Sequence, residues 1–78
     1  MIMKQYYRDE LKDRLIAEPD ETFDGLTLTK QDILDDEDLM ERLWTVYQKD
    51  VEDYDVDPDY AYGEAMHEVC GIRVKGWM

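Results

Sequence analysis

The chain has no serine, a single cysteine, a single histidine, two prolines and four glycines. The missing serine removes the commonest hydroxyl nucleophile, and there is no glycine-rich loop to cradle a phosphate. One cysteine cannot form an intramolecular disulfide, which points to a reducing cytosol. Basic residues are scarce: 9 Lys and Arg stand against 21 Asp and Glu, for a net charge of −12. That deficit argues against direct binding to DNA, RNA or an anionic membrane surface, each of which repels a polyanion. Long apolar runs are absent as well. No window approaches the roughly 18 apolar residues of a membrane span, and Met1-Ile2-Met3-Lys4-Gln5-Tyr6 has no apolar run long enough for a signal peptide. The expectation is a soluble, cytoplasmic, non-enzymatic protein without a cofactor.

What is present is a charge concentration threaded with apolar residues. The 78 residues make one domain, 1–78, and 44% hydrophobic content with two Trp and six Tyr argues against disorder. A core in so short a chain is thin, and such domains are marginal without staples or a partner. Between Asp32 and Glu64 lie thirteen acids against two bases, Arg42 and Lys49, which gives that stretch −11 of the total charge. Woven through it are Leu39, Met40, Leu43, Trp44, Val46, Tyr47, Val51 and Tyr54, which fill one arc at 100° per residue. Glu37, Asp38, Glu41, Thr45, Gln48, Lys49 and Glu52 fill the opposite arc. Asp50 falls inside the apolar arc, so the helix is expected to stop near it or to expose that end.

The pattern predicts a mainly α fold, a compact bundle of three to four short helices. Residues 2–17 read as the first helix, with Met3, Tyr7, Leu11 and Leu15 in one stripe and Ile16 widening it. Glu10 and Arg14 are placed for an i, i+4 ion pair of a few tenths of a kcal/mol. Pro19 ends this helix and Asp24-Gly25 marks a turn in the polar loop 18–25. Thr29 with Asp32 resembles a capping box, and Asp35 or Asp36 can cap the next helix. Asp57-Pro58-Asp59 is a strong helix start, and Gly71 is a natural stop after Cys70. The short alternating segments 26–29 and 72–75 are expected to pair as a minor two-stranded ribbon.

Two motifs suggest chemistry. Asp53, Asp55, Asp57 and Glu64 stand at the first, third, fifth and twelfth positions of a segment that resembles a calcium-binding EF-hand loop. It departs at the sixth position, where Pro58 replaces the glycine of the sharp turn and cannot take a left-handed conformation. An acidic loop followed by a helix cap accounts for the same residues. His67 and Cys70 have the spacing of half a zinc site, but no second Cys or His completes it. A nucleophile pair would lack an orienting group and an oxyanion site. The expectation is a surface histidine, a partly buried cysteine, no catalytic residue and no bound metal.

The acidic face remains. A helix over 36–54 is about 28 Å long and carries seven acids. Duplex DNA of that length carries roughly sixteen phosphate charges, about half of them facing any one partner. The run Asp35-Asp36-Glu37-Asp38, with Glu41 and with Glu52-Asp53 through Asp59, on amphipathic Tyr-rich helices, resembles small acidic phage-type inhibitors. These are the DNA-mimic antirestriction and anti-CRISPR proteins, in which carboxylates stand in for phosphates. The resemblance implies a viral inhibitor acting in the host-cell cytoplasm. Its partner would be the basic nucleic-acid-binding surface of a host defence protein, a CRISPR effector or a restriction-type nuclease. The implied partner-binding residues are Asp35, Asp36, Glu37, Asp38, Glu41, Glu52, Asp53, Asp55, Asp57 and Asp59. Two alternatives stay open. One is a protein–protein interaction module or homodimeric regulator that docks through Met40, Trp44 and Met66. The other is a degenerate EF-hand-like calcium binder.

Overall fold

The computed structural model describes residues 5–74. In this span four α-helices follow one another: α1 Gln5–Ala17, α2 Lys30–Asp35, α3 Glu37–Asp53 and α4 Pro58–Cys70, with a 3-10 turn at Asp20–Phe23 after α1. The mainly helical reading holds. No helix among the described residues is long and apolar enough to cross a membrane.

α3 is the central element, packing most extensively on α4 and then on α1 and α2. Leu43 and Tyr47 of α3 are wholly buried, with Leu11 and Leu15 from α1, Ile33 from α2, and Ala61, Ala65 and Met66 from α4. Burying a Leu or Ile side chain contributes about 1.5–3 kcal/mol, so a handful of residues supplies most of the cohesion. Met40, Trp44 and Met66 are covered within the chain. The apolar docking face expected of them is closed, because α1 and α4 both lie over α3.

Helices α2, α3 and α4 each start on a side chain the local sequence supplies. Thr29 Oγ1 accepts from Asp32 N and Asp32 Oδ2 from Thr29 N, both at 3.1 Å, which completes the capping box. Asp36 ends α2 and begins α3, its Oδ1 accepting from Leu39 N at 3.1 Å. Asp57 Oδ1 accepts from Asp59 N at 2.8 Å with Pro58 in the first turn of α4. Gly71 closes α4 at φ +69°, a left-handed conformation that a Cβ disfavours.

Several expectations are corrected. Segment 26–29 forms no strand: Leu26 N bonds to Phe23 O in a turn and Thr29 is committed to capping α2. Ile72 and Val74 still bury their side chains, but as irregular chain, with Ile72 N bonded to Met66 O. Hence there is no two-stranded ribbon among the described residues, and Lys75 lies outside them, as do residues 2–4 of the expected first helix. Ile16 is 51% exposed instead of widening the stripe. α3 does not stop at Asp50 but runs three residues further to Asp53. Gln48, assigned to the polar arc, is buried and donates to Glu52 Oε1 at 3.3 Å. Arg14 pairs with Asp59 and not with Glu10, which instead accepts from Tyr47 Oη at 2.8 Å.

Candidate functional site

All ten acids named from the sequence are exposed. They do not form one row. Asp35, Asp36, Glu37, Asp38 and Glu41 gather where α2 meets α3, while Glu52, Asp53, Asp55, Asp57 and Asp59 gather at the elbow between α3 and α4. From Glu37 to Asp53 the helix rises about 24 Å. The exposed residues between the groups include Arg42, Thr45 and Lys49 and no acid.

The group at the α2–α3 junction is the more concentrated. Asp32, Asp35, Asp36, Glu37 and Asp38 line one shallow, open depression, and Asp38, Glu41, Arg42 and Thr45 line another beside it. The abrupt α2–α3 turn at Asp36 brings the acids of one helix end against those of the next helix start. The N-terminal dipole of α3 favours negative charge at Glu37 and Asp38. Asp35 accepts from Gln31 Nε2 at 2.9 Å, and Asp36 uses one oxygen for its cap. Among the described residues no hydrogen bond or ion pair engages the side-chain carboxylates of Glu37, Asp38 and Glu41, and all three residues are exposed. Asp32 belongs to this depression, yet sequence reasoning used it only as a cap. Its place three residues before Asp35, on the same side of a short helix, was the available signal.

The elbow group is partly spent on the fold. Asp59 is neutralised by Arg14, Asp57 caps α4, and Glu52 accepts from Gln48 and, at 3.5 Å, from Tyr7 Oη. Asp55 takes φ +53°, the left-handed region, at the reversal between helices. Lys49 lies over the ring of Tyr54, which is 62% exposed. Of the acids in the loop pattern, Asp57 caps α4, while Asp53 ends α3 and Glu64 lies within α4. Among the described residues no three His, Cys, Asp or Glu side chains converge as metal ligands do.

Three tyrosines donate to glutamates across the bundle. They are Tyr7 to Glu52, Tyr47 to Glu10, and Tyr62 to Glu18 at 2.7 Å. Burial and then the bond to Glu10 push the Tyr47 phenol up to about 12, and burial with the Glu18 bond raises Tyr62 further. His67 is exposed and Cys70 half-buried, where burial pushes its thiol up. That direction opposes the thiolate a nucleophile needs. Compared with family models, curated proteins and solved structures, the chain matches none.

Proposed function

We propose that this chain inhibits a nucleic-acid-binding protein by offering carboxylates where that protein expects phosphates. The observation that carries the reading is the α2–α3 junction, where Asp32, Asp35, Asp36, Glu37 and Asp38 crowd one open surface. A surface meant only for solubility interleaves both signs; this one does not. Attraction between such a patch and a basic cleft accelerates encounter, and it weakens as salt screens it. A CRISPR effector or restriction-type nuclease in the host cytoplasm has the required basic groove. The acids at the α2–α3 junction make the primary contact. Asp53 and Asp55, with Tyr54 beside them, make a second contact about 24 Å along α3.

The test is retention of proteins from a nuclease-treated lysate on the immobilised chain at low salt. Retained proteins are expected to bind nucleic acid and to be released by short duplex DNA. The triple variant Glu37→Lys, Asp38→Lys, Glu41→Lys is expected to lose at least about tenfold in affinity while keeping its helical circular dichroism. Retention indifferent to duplex DNA, or undiminished in the folded triple variant, would overturn the reading.

A further inference from the structure

The face of α3 that packs on α4 carries one residue that the proposed function leaves unused. Asp50 is 5% exposed, and its Oδ2 is buried without a hydrogen-bond partner. An ionised carboxylate so placed is strongly disfavoured unless something compensates it. Its surroundings make matters worse. Glu64 of α4, half-buried, lies within hydrogen-bonding reach, and Glu68 stands one turn further along the same helix. The opposing charge comes from Lys49, exposed on α3 itself, and acts more weakly than either glutamate.

Two carboxyl groups this close cannot both ionise cheaply, whereas one proton between them turns repulsion into an O–H···O bond. We propose that Asp50 and Glu64 hold a single proton between them, and that this proton latches α3 to α4 in mild acid and is released toward neutral pH. Burial first, then the charge and hydrogen bond of Glu64, then Glu68, push the Asp50 carboxyl up to about 6. Because the folded chain then binds this proton where the unfolded chain has already lost it, the latch contributes fully below about pH 4. The contribution is lost as pH climbs through about 6. The elbow hangs on the same residue, since Val56 N donates to the Asp50 carbonyl at 3.0 Å. This inference goes beyond the inhibitor reading and needs no partner.

Carbon-13 NMR of the Asp50 and Glu64 carboxyls, followed from about pH 3 to about pH 8 in the intact chain, tests the sharing directly. The Asp50 carbon is expected to report a step near 6. Glu64→Gln is expected to move the Asp50 midpoint down by at least about one pH unit. Thermal melts in parallel are expected to fall more steeply between about pH 5 and pH 7 in the native sequence than in Asp50→Asn, which keeps the general acidic repulsion. An Asp50 carbon titrating near 4, as an ordinary aspartate does, would overturn the proposal. So would a midpoint unmoved by Glu64→Gln, or equal melting slopes. If Asp50→Asn does not fold, the native titration still decides.

Discussion

At the scale of single residues, the described chain spends its three buried tyrosines on glutamates. Tyr62 is 6% exposed and Glu18 8%, so their 2.7 Å bond is cut off from water. Tyr62→Phe leaves Glu18 with Thr22 as its remaining hydroxyl donor. The cost of a buried acceptor that loses one partner is about 1–3 kcal/mol. Urea unfolding is expected to show that loss, and a change below about 0.3 kcal/mol would mean water replaces the phenol. Trp44 raises a similar question, since its indole Nε1 is buried without a partner while Arg8 lies over its ring at 4.5 Å. The guanidinium satisfies the ring face and not the N–H.

At the scale of elements, Asp36 combines two roles that substitution can separate. It caps α3 and contributes to the acidic depression. Asp36→Ala is expected to cost about 1 kcal/mol of stability, whereas Asp36→Asn keeps a capping oxygen and removes only the charge. Equal denaturation midpoints for the two variants would show that the cap contributes nothing. Caps of this kind were legible in the sequence because they are local: Thr29 with Asp32, Asp57 with Pro58, and Gly71 each act within a few residues of themselves. The pairings that were not legible join distant positions. Arg14 reaches Asp59, 45 residues away, and Tyr62 reaches Glu18 across 44. No spacing rule anticipates either. The burial of Gln48 was missed for a related reason, whereas Asp50 is buried in the apolar arc where its helical angle placed it. Helical angle separates two arcs cleanly only when one face is covered, and α3 is covered by α1 and α4 together. The expected ribbon failed because alternation over four residues reports side-chain burial, which Ile72 and Val74 achieve without a strand ladder. Of the candidate site, exposure of the acids was readable. Their division into two runs was readable too, but the crowding at the turn of Asp36 and the ion pair that occupies Asp59 were not.

At the scale of the whole molecule, a charge of −12 on 78 residues opposes the compact state through self-repulsion. Raising NaCl from about 10 mM to about 150 mM shortens the Debye length from about 30 Å to about 8 Å. The urea midpoint is expected to rise over that range, while affinity for a basic partner falls. A midpoint that drops with salt would mean that the ion pairs of Arg14 and Lys30 outweigh the repulsion. Folding and the proposed recognition are therefore expected to respond to ionic strength with opposite signs. The junction at Asp36 ties the two together. Because α2 ends and α3 begins on that one residue, the pair works as a bent lever whose fulcrum is itself charged. One oxygen of that carboxylate is committed to Leu39 N, so a cation drawn to the other pulls on the residue that anchors the first turn of α3.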